Sequence, residues 1–441
     1  MFENDTSRQD AMQTNEKTSN RDEVMGFLQM KPDSNKPLNI RKNFLEILRH
    51  DSTFAEIRFN TIRGELERYD EKTGKRRPWT DAEDAAAKSY IEEVYKIENP
   101  SKYMDALNIY AQEVKYNPVQ IEIEKTKWDG QRRAEEFLIK WAGAEDTPVN
   151  RECSRLLFAG GIRRAYEPGS KFDNIIVLIG SQGAGKSTLC RWLALDDEFY
   201  TSIKTISGQK GSEAIQGKWI IEVEELLAFL ANDKSGSRME ENAKAYLSRQ
   251  SEYYRKPYER RTTDTPRTCL FLGTTNRDEF LEDPTGNRRW YPVKCSMLGY
   301  DIFDREAECR AYIRQAWAEM LAAYRAGDPL AHPYTSRELE AAVRAWQQTA
   351  EVHDELVGMI QDYLDREYPR PSDMVCIPEL WAEVVCMGNP YKRTITRQDS
   401  LRIGNILTSK LGWQKAGNAR FDQPYGVQKA YQRPNSALVT G

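Results

Sequence analysis

Hydrophobic and polar positions divide the chain into four stretches. Residues 1–37 show no period: Asn, Asp, Ser, Thr, Gln, Glu and Lys dominate. Apolar residues are too few there to offset the entropy of ordering, so a disordered tail is expected. From Asn39 apolar residues recur mostly at helical spacing. "NFLEILRHDSTFAEIRFN" joins a short helix to an alternating "FAEIRFN", which suits a strand. "TDAEDAAAKSYIEEVY" opens with Thr80 as an N-cap and acids in its first turn, and "KYMDALNIYAQEV" and "QRRAEEFLIKWAG" read as amphipathic helices. A mainly α-helical domain is expected over 38–148.

The pattern changes at Pro168-Gly169. Ile175–Ile179 is a continuous apolar run of the kind found in buried parallel strands, and a glycine-rich loop and a helical stretch follow it. Apolar β-type runs return in "KWIIEV" and "TCLFLGTT", with helical stretches between them. Strands alternating with helices predict a three-layer α/β domain, placed at 149–330. In 331–441, "HDELVGMIQDYLDRE", "IPELWAEVV" and "RQDSLRIGNILTSKLG" read as helices ahead of the turn-rich "WQKAGNARFDQPYGVQKAYQRP". Three helices and then a hairpin is the order of a winged-helix-like domain. Lys392, Arg393, Arg397, Arg402 and Lys410 flank its last helix, whose apolar side carries Ile403, Ile406, Leu407 and Leu411.

Composition changes this picture little. The chain of 441 residues is 39% hydrophobic and 30% charged, with a net charge of −4. That balance fits a globular protein and does not exclude a nucleic-acid face, because 64 Lys and Arg can cluster locally. Seven scattered cysteines and three histidines offer no zinc spacing, so reduced thiols in a cytoplasmic protein are expected. No apolar run approaches the roughly 18 residues that span a bilayer, and no signal peptide opens the chain.

The candidate chemistry starts at "GSQGAGKST". Gly180, Ser181, Gln182, Gly183, Ala184, Gly185, Lys186 and Ser187 satisfy G-x-x-x-x-G-K-[ST], with Thr188 next in the helix. Glycines let backbone N–H groups wrap phosphate oxygens, Lys186 would meet the β- and γ-phosphates, and the Ser187 hydroxyl would ligate Mg²⁺. The helix that follows adds its positive end. An ATPase also needs an acid at the end of a neighbouring strand. "KWIIEVEEL" supplies Glu222, Glu224 and Glu225: Glu222 is placed near the metal and Glu224 or Glu225 near the attacking water. The alternative is a helix start decorated with acids.

Asn276 ends the strand of "FLGTTN", where an amide can orient the attacking water without altering the charge. Arg288 and Arg289, behind a Thr-Gly-Asn turn, suit an arginine finger reaching a nucleotide on the next subunit. A solvated or internally paired surface is the competing reading. Between the acids and Asn276, Arg255, Lys256, Tyr258, Arg260 and Arg261, with Arg249, Arg267, Tyr253 and Tyr254, interleave cations with aromatic rings. Such a stretch can track a phosphate backbone and stack on bases, from a hairpin in a ring's channel. Some of these arginines could instead bind nucleotide or neighbouring subunits.

Together, "PGSKFDNIIVLIGSQGAGKST", "GKWIIEVEEL", "SRQSEYYRKPYERR" and "RTCLFLGTTNRDEFLEDPTGNRRWYPV" resemble the virulence-associated protein E family, AAA+ ATPases similar to superfamily 3 helicases of prophages and other mobile elements. "NPVQIEIEKTKWDGQRR", centred on Trp128-Asp129-Gly130, and "TRQDSLRIGNILTSKLGWQ" extend the resemblance to most of the chain from about residue 39. It implies ATP and Mg²⁺ at Gly180 to Ser187, Asn276 as sensor, and Arg288 or Arg289 acting across the interface of a homo-oligomer, typically a hexamer. The implied function is an ATP-dependent DNA helicase or translocase of phage or mobile-element replication, in a bacterial cell or phage-infected host. Single-stranded DNA is the expected track, and a replication initiator or primase a further partner. The alternative is an ATPase switch that remodels origin DNA or a partner without unwinding. Superfamily 3 enzymes usually carry two adjacent acids after the apolar run; here Val223 follows Glu222, which leaves the base open. The N-terminal region shows no primase pattern. Trp128 is expected to pack against the ATPase domain.

Overall fold

The computed structural model describes residues 20–204, 213–224, 245–254, 263–277, 289–296, 301–332, 337–349, 355–388 and 394–434. The chain forms two compact units, residues 1–229, 246–276 and 293–341 in one and 230–245, 277–292 and 342–441 in the other.

In the first unit the amphipathic stretches fold as helices. The first, α1 (Arg41–His50), buries Phe44, Ile47 and Leu48. Four strands, β1 (Ile57–Asn60), β2 (Glu65–Asp70), β3 (Lys75–Pro78) and β4 (Lys115–Tyr116), form a sheet of order β3-β2-β1-β4, antiparallel except between β1 and β4. Beside it, α2 (Asp81–Tyr95) starts at Thr80, whose backbone N–H donates to the Glu83 carboxylate at 2.7 Å. Ile91 and Tyr95 of α2 join Tyr103 and Leu107 of α3 (Pro100–Glu113) in one apolar cluster.

One expectation is extended here and another corrected. Helices make up most of the N-terminal region, but they share it with a four-stranded sheet: β2 and β3 read ELERYD and KRRP, so they show no apolar alternation. What binds them is the backbone ladder and a buried carboxylate, Glu67, which accepts from Asn60 Nδ2 at 3.0 Å and from the Tyr116 hydroxyl. The expected tail is ordered from Asn20 on. Val24 and Leu28 are buried in the α1–α3 cluster, and the Asn43 amide pairs with the backbone of Gln29 at 2.8–2.9 Å. Two buried side chains and one satisfied amide suffice where average composition predicts disorder. Residues 1–19 lie outside the described residues.

After α4 (Pro118–Glu124) and α5 (Phe137–Ala142) comes α6 (Pro148–Tyr166), buried on nearly every side. At Gly161 an added Cβ would lie 2.4 Å from the ring of Trp317. That ring is wholly buried, with its Nε1–H on Leu193 O at 3.0 Å, so it has nowhere to move. Gly161→Ala is therefore expected to destabilise the protein by about 1–3 kcal/mol despite alanine's better helix propensity, read as a lower denaturant midpoint.

Behind α6 lies a five-stranded sheet of order β11-β5-β10-β7-β6. Its strands are β5 (Ile175–Ile179), β6 (Tyr200–Ile203), β7 (Ile220–Val223), β10 (Leu270–Thr275) and β11 (Trp290–Lys294). β5, β10, β7 and β6 run parallel. All residues of β5, β7 and β10 are buried, as their apolar runs predict. Helices α7 (Lys186–Leu193) and α8 (Glu306–Ala326) cover the sheet, and Trp317 of α8 meets Trp219 and Phe158 at ring distances of 4.5 and 4.6 Å. A separate ribbon pairs β8 (Ser251–Tyr254) with β9 (Thr263–Pro266) in antiparallel register.

The second unit contains α9 (Glu355–Glu367), β12 (Met374–Cys376), α10 (Ile377–Leu380, continuing as a π turn to Val385) and α11 (Arg397–Asn405, continuing as a π turn to Lys410). β13 (Gln414–Arg420) and β14 (Val427–Gln432) follow, in an antiparallel sheet of order β12-β14-β13. Ile403, Ile406 and Leu407 are buried with Ile360, Leu380 and Trp413, and Leu411 is half-buried, which matches the apolar side expected of α11. Among the described residues no helix is long and apolar enough to cross a membrane. All seven cysteines are buried free thiols.

Candidate functional site at the edge of the parallel sheet

Parallel strands deliver the segments that follow them to one edge of a sheet, which is where α/β proteins place their ligands. Here β10 lies between β5 and β7, so the glycine loop, Asn276 and Glu222 come from adjacent strands. Gly180 donates its N–H to Thr275 O at 3.2 Å, which seats the start of the loop beside the end of β10. An added Cβ at Gly180 would lie 2.6 Å from Cys295 O. Gly183 and Gly185 take φ of +84° and +79°, in the left-handed region that a side chain would strain.

The loop then turns into α7, whose first residue is Lys186. Its ammonium donates to Gly180 O at 2.7 Å and Ser181 O at 2.9 Å, folded back over the loop. Burial lowers the pKa of Lys186, opposed by Cys295 and Glu222. Burial also pushes the Cys295 thiol up to about 12. Ser181, Gln182, Gly183 and Ser187 are exposed, Ala184 is buried and Thr188 is half-buried.

Glu222 is wholly buried. Its Oε1 accepts from Ser187 Oγ at 2.6 Å and from Thr274 Oγ1 at 2.7 Å, and its Oε2 accepts from the Tyr200 hydroxyl. Burial, then the hydrogen bond to Glu222, raises the Tyr200 pKa far above the usual phenol value. Three neutral hydroxyls thus hold a carboxylate that a buried position would ordinarily pair with a cation. A hydroxyl that donates its proton to Glu222 keeps its lone pairs for a metal, so Ser187 with Glu222 fits a small divalent cation that prefers oxygen. Tyr200→Phe strips one donor from this carboxylate. It is expected to cost about 1.5–3 kcal/mol, the worth of a hydrogen bond to a charged group, measured as a lower unfolding midpoint.

The structure separates the three candidate acids. Glu222 meets Ser187, whereas Glu224 sits in the turn after β7 and pairs with Lys204 at 3.3 Å. Glu225 lies outside the described residues. Asn276 is exposed immediately after β10. Arg289 directly precedes β11; Arg288 lies outside the described residues, as do Arg255, Lys256, Tyr258, Arg260 and Arg261. These last five fall between β8 and β9, the two strands of the ribbon.

Arg267 does not belong to a solvent-facing basic cluster. It is buried, with Nε on Glu252 Oε1 at 3.0 Å and Nη1 on Tyr246 O and Leu247 O at 2.8 and 3.0 Å. Its guanidinium lies 4.9 Å from the Tyr246 ring. The reading of this cation as a nucleic-acid contact is corrected: the buried carboxylate of Glu252 claims it.

Sequence reasoning missed Tyr200 and Thr274. A pair of threonines ending an otherwise apolar strand was a readable signal for Thr274; nothing local marks Tyr200. The Trp128 segment is held by hydrogen bonds. Its indole donates to Gln131 O within its own turn, at 2.9 Å. Attachment to α8 runs through the backbone: Asp129 N–H meets Gln315 at 3.1 Å, and Arg133 and Ala134 N–H meet the Glu319 carboxylate at 2.5 and 2.9 Å.

Fold and site together define a mixed α/β protein whose parallel sheet presents a glycine-rich loop and a hydroxyl-bound acid at one edge. Residues 123–352 match the virulence-associated protein E-like domain, and the chain belongs to that family. None of the curated proteins matches it. Among solved structures, the apo structure of the NrS-1 C terminal region (305–718) is similar at 13% identity, with a TM-score of 0.46 over 86% of this chain and 96% of that one. An A-form apo structure of the same region aligns at 12% identity with the same coverage and TM-score.

Proposed function

We propose that the chain is a Mg²⁺-dependent ATPase of the AAA+, superfamily 3 helicase-like type that moves DNA in phage or mobile-element replication. The observation that carries this reading is the union of the Gly180–Lys186 loop with the Ser187–Glu222 pair on neighbouring parallel strands. β10, which Asn276 directly follows, lies between them, where a residue that orients water beside the γ-phosphate belongs. Lys186 would exchange the loop carbonyls for phosphate oxygens and spread their charge. Ser187 and Glu222 would hold Mg²⁺, which when bound neutralises β- and γ-phosphate oxygens. Glu224 or Glu225 would poise the attacking water, and Arg288 or Arg289 would complete the site from the next subunit of a ring, expected to be a hexamer. The ribbon supports a DNA track, since its two strands bracket Arg255, Lys256, Tyr258, Arg260 and Arg261.

The test is ATP hydrolysis by the purified full chain with and without single-stranded DNA. Stimulation by DNA that disappears in Arg260→Ala/Arg261→Ala is the expected result. Hydrolysis indifferent to DNA would replace the motor with an ATPase switch acting on origin DNA or a protein partner, such as an initiator or primase.

A further inference from the structure

The second unit carries a basic face that the ATPase reading leaves unused. Between Thr394 and Pro434 the only acids are Asp399 and Asp422. Asp399 is occupied at the start of α11, where its carboxylate accepts from the Thr396 N–H at 3.0 Å. Against them, Arg397, Arg402 and Lys410 are exposed on α11, and Lys415, Arg420 and Lys429 are exposed on β13 and β14. Because the whole chain carries −4, this excess is local and does not follow from composition.

The side chains on α11 are suited to more than phosphate attraction. Ile403, Ile406 and Leu407 face the unit's core, which leaves Arg397, Leu401 and Asn405, at four-residue spacing, on one outer face beside Arg402. Leu401 is 58% exposed although its neighbours fill a core. Arg reads guanine, Asn reads adenine and an apolar side chain meets the thymine methyl, all in the major groove of B-form DNA. The helix follows α10, packs with it around Leu380 and Trp381, and is followed by an exposed antiparallel hairpin; helices and sheet together have the order of a winged helix. We propose that this unit binds duplex DNA, with α11 in the major groove and the β13–β14 hairpin on flanking phosphates. A-form RNA does not fit, since its major groove is too narrow for a helix. This inference does not depend on ATP hydrolysis.

The test is fluorescence anisotropy of a labelled DNA duplex with the full chain, without nucleotide, across a salt series. Lys410→Ala/Lys415→Ala/Lys429→Ala is expected to bind at least about tenfold more weakly and to flatten the log–log salt slope by about one unit per lysine that contacts phosphate. ATP hydrolysis without DNA should be unchanged in this variant, which also reports intact folding. Lys186→Ala should bind the duplex like the parent chain, so a failed ATPase reading and a failed DNA reading remain distinguishable. Unaltered affinity and slope in the triple variant, no duplex binding by the parent, or equal competition by single-stranded DNA or an RNA duplex would each overturn the proposal.

Discussion

Lys186→Ala is expected to lower ATP turnover by about 10²–10³-fold, the usual consequence of deleting a preorganised charge from a transition state. Lys186 is the last residue of the loop and the first of α7, and its ammonium is held over the loop by Gly180 O and Ser181 O. Alanine loses the charge but keeps the helix, so thermal stability should change little. Steady-state hydrolysis with nucleotide titration measures both effects: turnover falls and the nucleotide dissociation constant rises. Turnover within a few-fold of the parent would remove the loop from the catalytic site.

An effect of about 10³-fold or more is expected for Arg288→Ala/Arg289→Ala, because an arginine finger acts directly on charge developing at the transferred phosphate. This variant has a second signature that a merely structural arginine lacks. Mixed with Lys186→Ala subunits, it should regain part of its activity, since a neighbour then supplies the arginine to an intact phosphate loop. No recovery on mixing, in oligomers shown to exchange subunits, would place the arginines within their own subunit. Single substitutions then assign the role to Arg288 or Arg289.

What could be read in advance follows from how local the signal is. Ile175–Ile179 and the glycines after it announce a buried strand and its loop because backbone geometry requires those residue types at those positions. By contrast β2 and β3 carry mostly charged side chains, so the pairing that makes them strands leaves no apolar period. Helix α6 escaped notice for the opposite reason: burial on all sides erases the amphipathic stripe, and Gly160-Gly161 lowers the helical signal where Phe172 and Trp317 press against it. At the site, Glu222 could be nominated from its place in an apolar run. Its partners Tyr200 and Thr274 come from other strands, and only register brings them to it.

The Arg267–Glu252 pair has a mechanical meaning. Glu252 belongs to β8, and Arg267 stands between the end of β9 and the start of β10. Both side chains are sealed from water, and an ion pair in such surroundings gives way only at the cost of an uncompensated charge. The ribbon is therefore riveted at its root to the segment that leads into β10. Displacing the described strands of the ribbon would break this buried pair before the sheet could be left behind.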